Sequence, residues 1–310
     1  GIDYVTYLRL HIKNMADNGI EFNQVNIAGH HIPIGQYTVD CHIHHCDDFC
    51  MIGGTYNQFV AGCNMHDCPA VSSHVFRNSL WNKAVISNNN FKNAGDCLTM
   101  RAVTYGDSDN VIPLNTVSMW GYISDNYLEG GAASGTGVPL ASFKPASPGA
   151  DQRVENAIFE RNFARNVSAS AGGMVIINAR EITIRNNFMD NSGSTNGGYG
   201  VIAGQLDVEP VPRGINIYNN TLVSNFTGTA NFIMVQLNSN VTNNGGANPN
   251  NVRNNLGYAP NDTAPAGDYL AVASMTFLGG TAEQAITIVL NVGDSPIAGS
   301  ERQFDVESSI

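Results

Sequence analysis

Along the chain, apolar and polar positions repeat one short phrase: an apolar residue, polar residues that include a fixed Asn, and a return to apolar character. It stands at ISNNNF (86–91), ISDNYL (123–128), FERNFA (159–164), IRNNFM (184–189), IYNNTL (217–222) and VRNNLG (252–257). The anchoring residues Asn89, Asn126, Asn162, Asn187, Asn220 and Asn255 are separated by 37, 36, 25, 33 and 35 residues. Those intervals fit a base turn of roughly twenty residues with insertions of varied length, the signature of a solenoid. Ahead of the Asn, triplets such as Ile182-Thr183-Ile184 and Ile215-Asn216-Ile217 have the two-residue period of a strand with one face inward. An Asn at each corner has a physical reason. A buried turn leaves backbone groups unpaired, and a stacked carboxamide can donate and accept to the turns above and below it.

Alternation assigns side chains to surfaces. Along the sheet that precedes each Asn it gives an outward row of His44, His66, Ser87, Ser124, Glu160, Arg185, Tyr218 and Arg253, with Asp40, Gly62, Lys83 and Trp120 beside it. Glu160 and Arg185 read there as a surface pair of little worth. A second sheet is expected from CLTMRA (97–102), PLASFK (139–144), MVIINA (174–179), GVIAGQ (200–205) and FIMVQL (232–237). With its aliphatic residues inward, Thr99, Arg101, Phe143 or Lys144, Asn178, Gln205 and Gln236 form a polar outer track, extended one turn earlier by His74 and Arg77. Amides, cations and aromatic residues in a groove suit a glycan, which offers hydroxyls and flat apolar ring faces.

Cysteine spacing points to the same coil. Cys41 and Cys46 recur as Cys63 and Cys68, each 22 residues on, so like stacks on like. Adjacent parallel strands lie about 4.8 Å apart, within disulfide reach, and Cys41–Cys63 and Cys46–Cys68 are candidate bridges. Cys50 and Cys97 share a strand-start context about two turns apart. Either disulfides staple this end in an oxidising compartment or a reduced thiol ladder packs there. His42, His44, His45 and His66 lie in the same stretch, with His30 and His31 upstream. Cys41 and Ile43 point inward while His42 and His44 point outward, so thiols and imidazoles do not converge on one zinc tetrahedron. The imidazoles read as a solvated stripe, and no metal ligand is assigned.

Composition sets the bounds. The 310 residues are 43% hydrophobic and 13% charged with 32 Gly, enough for a large core and many tight turns in one elongated domain. No apolar run approaches the roughly 18 residues of a membrane span. The chain opens at Gly1 inside a strand-like pattern, which reads as a removed leader and hence a secreted or cell-surface protein. The formal charge of −11 argues against nucleic acid. It also requires a local cationic strip or a bound metal if the ligand is an acidic polysaccharide.

The Asn phrase resembles that of the right-handed parallel β-helix of the pectate-lyase-like superfamily over roughly residues 8–260, with 261–310 as final strands and a tail packed on the coil. HVFRNSLWNKAVISNNNF and CLTMRAVTYGDSD resemble, more distantly, polysaccharide lyases in which a Lys and an Arg from successive turns serve the reaction. That resemblance implies β-elimination on a uronic-acid polysaccharide. Lys83 would be the base, Arg101 would protonate the leaving oxygen or hold the uronate, and His74 and Tyr105 are alternate bases. Arg77, Tyr105, Trp120, Lys144, Asn178, Gln205 and Gln236 would bind substrate. The lyases' calcium cluster has no clear counterpart, although Asp96, Asp107 and Asp109 could supply oxygens.

Two rival readings share the coil. A glycoside hydrolase needs two converging carboxylates, for which Asp47-Asp48 and Asp107 with Asp109 are the candidates. A non-catalytic spike, fibre or adhesin would use the long exposed surface, and Tyr4-Val5-Thr6-Tyr7 reads as an open edge suited to self-association. The Gly-, Ala-, Ser- and Pro-rich insertion at 129–153 is expected either as a groove wall or as a plain connection, and the loop at 191–199 is similarly Gly- and Ser-rich.

Overall fold

The computed structural model describes residues 3–22, 34–68, 74–94, 96–102, 117–130, 139–145, 152–166, 174–192, 199–204, 212–224, 233–238, 241 and 250–258, and strands within 271–305. Its main body is a parallel β-helix of three strands per turn, in which 24 strands join one continuous sheet system. The first face stacks Val5–Leu8, Ile34–Val39, 55–61, 81–87, Val117–Ser124, Arg153–Glu160, Arg180–Arg185, Asn216–Tyr218 and the start of Asn251–Tyr258, all parallel and in register. The second face runs from His11–Met15 through His42–Cys46, Asn64–His66, Asn90–Ala94, Tyr127–Gly130, Phe163–Arg165 and Phe188–Asp190 to Thr221–Val223. The third runs from Ile20–Phe22 through 51–53, 74–78, Asp96–Ala102, Ala141–Pro145, Val175–Ile177 and Tyr199–Ala203 to Ile233–Leu237.

The sequence dictates this winding through its inward columns. Val60, Ile86, Ile123, Phe159, Ile184 and Ile217 sit directly over one another, each fully buried. Each such side chain contributes about 1.5–3 kcal/mol over its exposed state. Two columns of left-handed corners interrupt the two-residue period. One column of corners, Arg9, Asp40, Gly62, Asn88, Asp125, Arg161, Asn186, Asn219 and Asn254, has φ between 52° and 67°. A second column, Tyr4, Gly35, Asn57, Lys83, Trp120, Asn156, Glu181 and Gly214, has φ between 53° and 73°. Asn is over-represented there because its side chain tolerates the left-handed region better than other residues with a Cβ.

The ladder forms immediately after the first column of corners. Asn162 shows its complete set of bonds. Its Oδ1 accepts from Asn126 N at 2.9 Å and Asn126 Nδ2 at 2.9 Å. Its Nδ2 donates to Ile123 O, Glu160 O and Asn187 Oδ1 at 3.1 Å each. The same connections tie Asn89 to Asn126, Asn187 to Asn220 and Asn220 to Asn255.

Toward the N-terminus the ladder position passes to Cys63, Cys41 and Leu10, as the cross-turn backbone bonds that follow it demonstrate. The thiols take over the amide's donor role. Cys63 Sγ donates to Thr38 O and Ala61 O, and Cys41 Sγ to Tyr7 O and Val39 O, at 3.4–3.5 Å. These are the positional equivalents of Ile123 O and Glu160 O around Asn162. The candidate bridges Cys41–Cys63 and Cys46–Cys68 are therefore corrected: all six cysteines are buried free thiols. Cys68 instead approaches Cys50 at 2.9 Å. Burial pushes the Cys63 thiol up to about 12, and the hydrogen bonds of Cys46 and Cys68, with burial, raise that of Cys50.

Two surface rows also differ from expectation. The row containing Ser87 and Ser124 begins with Leu8, Val39 and Ala61, whereas His44 and His66 lie past the corner, on the second face, where they lead to Lys92, Glu129 and Arg165. Asp40 and Gly62 belong to one column of corners, Lys83 and Trp120 to the other. Glu160 is not an exposed partner of Arg185. It is 3% exposed and takes bonds from Tyr122 (2.6 Å), Arg161 and Arg185, with Arg161 also pairing to Asp125 at 2.8 Å. Burial opposes its ionisation, but the three donors outweigh that and hold its carboxyl below the ordinary range. Beyond the coil, Ala271–Thr276 runs antiparallel to Asn251–Tyr258, so the pattern fades where chain direction reverses.

Adjacent positions should therefore respond oppositely to substitution. Asn89→Ala removes the side-chain bonds to Cys63 N and Val60 O and one of the two that Asn126 Oδ1 accepts, and should cost about 3 kcal/mol or more in urea unfolding. Asn88→Gly, at an exposed left-handed corner, should stay within about 1 kcal/mol of the parent. A thiol titration should find six reactive sulfurs in denaturant without reductant and far slower reaction in the folded chain. Each disulfide present would remove two.

Candidate functional site

The third face carries the densest chemistry. Strand alternation turns Ile52, Arg77, Thr99 and Ser142 outward in one in-register row that continues to Ile202 and Gln236. Two residues on, Arg101 and Lys144 are neighbours, each flanked by inward residues: Met100 and Ala102, Phe143 and Pro145. Phe143 is fully buried, so Lys144 is the outward member of that pair.

His74 closes over this row. It is 7% exposed, and its Nδ1 lies 2.9 Å from Thr99 Oγ1, which in turn accepts from Ser142 Oγ at 3.3 Å. Thr99 and Ser142 are outward by alternation yet fully buried. The His74 ring stacks on Phe49 at 5.6 Å and 7°, and the Arg77 guanidinium stands over the same ring at 5.6 Å. Phe49 thus fixes an imidazole and a cation with one apolar surface.

The adjoining residue, Asp48, is half-buried. Burial raises its carboxyl and Asp17 raises it further, while His74 and Arg77 pull it down; the net direction is up. A carboxyl, an imidazole and a guanidinium therefore share one electrostatic neighbourhood, with Arg101 and Lys144 further along the face. Groups with perturbed titration beside a cation cluster are the physical marks of a working site.

The expected site residues divide among several places. His74, Arg77, Arg101 and Lys144 come together. Asn178 follows them in the next turn but is fully buried. Gln236 is half-buried and donates to Asn238 Oδ1 at 2.7 Å. Lys83 and Trp120 are stacked corner residues, Trp120 being 57% exposed. The register pairs Met100 with Asn78, and Lys83 lies five residues past Asn78, about 17 Å along the strand path. Tyr105, Gln205, Asp107 and Asp109 lie outside the described residues, as do most of the two insertions and the Asp96 side chain. Asp48, Phe49 and Asp17 were missed as members of this face, because residues 47–50 look like an ordinary acidic turn.

A second cluster occupies the second face. His42 and His44 have their pKa values lowered by burial and then by the charges of neighbouring imidazoles, His66 foremost for His42 and His42 for His44. Among the described residues no helix is long and apolar enough to cross a membrane. No protein-family model matches the chain, and neither a curated protein nor a solved structure does.

Asp48 provides a test of the third face. Its folded carboxyl is raised above the unfolded value, so ionising it opposes folding: stability is fullest below the ordinary carboxylate pKa of about 4 and falls as pH rises through the folded value. Asp48→Asn should raise the urea midpoint at neutral pH, with a gain that shrinks toward zero in acid. A loss of stability at neutral pH would contradict the raised carboxyl.

Proposed function

We propose that the chain is a carbohydrate-active β-helix of the pectate-lyase-like superfamily, acting outside the cell, that binds a uronate-containing polysaccharide along its third face and cleaves it by β-elimination. One observation carries this reading: Arg77, Arg101 and Lys144 gather on one face of a chain whose formal charge is −11. A polyanion approaching an acidic protein needs such a local strip. Arg101 and its neighbour Lys144 would clamp a uronate carboxylate and stabilise the enolate-like dianion formed when the adjacent proton leaves. The base next to these cations is His74, oriented through Nδ1 by Thr99. It takes the proton, the electron pair forms the new carbon–carbon double bond as the carbon–oxygen bond to the leaving sugar breaks, and the departing oxygen takes a proton from solvent water. Lys83 has no part in this arrangement, and Trp120 lies with it on a separate corner.

A hydrolase is the second reading, favoured by one observation: burial and then the neighbouring Asp17 raise the carboxyl of Asp48 beside His74. Assays on pectate, alginate and glucuronan, with and without calcium, separate the classes. The lyase reading expects ultraviolet-absorbing unsaturated ends, lost by at least about a hundredfold in kcat/KM in His74→Ala and Arg101→Ala but unchanged in Lys83→Ala. New reducing ends without that absorbance would select the hydrolase. Neither product from any of the three polymers would overturn enzymatic action on them and leave a structural β-helix.

A further inference from the structure

On the second face, His11 lies opposite His42, and His44 opposite His66, across three successive turns. Alternation turns all four outward, and their rings pack with centroids 4.5–5.1 Å apart. Their ring nitrogens face one another in pairs. His11 Nε2 lies 2.9 Å from His44 Nε2, and His42 Nε2 lies 2.9 Å from His66 Nε2. One ligand atom each from His11, His42 and His44 falls within 4.8 Å of the others. A neutral imidazole has one N–H and one lone pair, so in each facing pair one Nε2 must carry the proton that the other accepts, whereas a cation would take a lone pair from both.

A separate contact points the same way. Asp67 Oδ2 lies 2.7 Å from His66 Nδ1. A carboxylate on the far nitrogen holds the proton there and leaves Nε2 as the lone pair aimed at the cluster, the arrangement that orients metal-ligating histidines. These are also the turns whose ladder positions hold Leu10, Cys41 and Cys63 instead of Asn, with an amide reaching the third of them from Asn89 of the following turn.

We propose that His11, His42 and His44, completed by His66, bind one divalent transition ion of the zinc, nickel and copper class, which clips the first three turns together. An all-imidazole donor set selects that class over calcium or magnesium, which need oxygen ligands. The clip joins residues 31 apart between His11 and His42, a connection whose closure otherwise rests on strand pairing. Lys13, in register with His44, sets a like charge beside the ion and moderates the affinity. This inference is independent of the glycan reading, since it uses another face and other residues.

The test uses the full chain without a polyhistidine tag. Zinc titration followed by calorimetry, and copper(II) followed by electron paramagnetic resonance, should show one ion per chain with several nitrogen ligands. The thermal midpoint should rise with zinc and return with chelator. His42→Ala/His44→Ala should abolish uptake and the midpoint shift while leaving the metal-free melt near the parent's, because both side chains sit on the outer surface. Asp67→Asn should weaken binding by about tenfold or more. Absence of uptake by the parent, or uptake and midpoint shift unchanged in the double variant, would overturn the site.

Discussion

Strands in the middle of this coil are buried on their inner side and paired above and below, so each turn there must bend without leaving backbone groups unpaired. The left-handed corner followed by an inward hydrogen-bonding side chain meets that constraint. The corner redirects the chain in one residue. The side chain then bonds a carbonyl in its own turn, a carbonyl in the turn before, and the ladder residue in the turn after. Because the bonds run between turns, they fix register as well as direction, and register is what brings chemistry from distant parts of the sequence into rows.

The ladder is not uniform, and its change of composition divides the molecule. From Asn89 onward each corner of the first column is followed by a carboxamide tie. Before it, thiols bond the equivalent carbonyls more weakly, and the first turn has Leu10, which has no donor in its side chain. The imidazole cluster occupies that weaker end. The cationic third face begins at Arg77 and continues to Lys144, where the amide ladder is continuous. Parallel stacking thus separates two kinds of surface on one scaffold.

The sequence was most legible where one residue type answers one physical need. The six Asn positions and the inward aliphatic columns follow from a fixed period and a demand for buried hydrogen bonds, whereas the choice between Phe143 and Lys144 as the outward residue beside Arg101 needed the register. Cys50 and Cys97 do fall two turns apart, through Val75. Prediction failed where the period is broken from within. Lys83 lies inside the continuous strand His74–Ser87, and nothing in its neighbours reveals the left-handed φ that moves it to a corner. His44 and His66 were placed before the corner because the ladder position there is Cys, not Asn. His11 escaped notice for the same reason: no Asn marks its turn. Phe49 and Asp48 could not be assigned to the third face from sequence, since their contacts with His74 and Arg77 cross from one turn to the next.

The central claim is that these rows exist: residues at equivalent corners stand one above another along the axis. Pulsed electron paramagnetic resonance between nitroxides placed in pairs at the exposed corners measures it directly, the six native thiols being buried. Taking Asn88 as reference, Asn186, Asn219 and Asn254 are three, four and five turns away. At about 4.8 Å per turn the label separations should increase in even steps, from about 14 Å through 19 Å to 24 Å plus a constant linker term. Separations that do not lengthen evenly with turn number would contradict the stacked coil and every neighbour relation drawn from it.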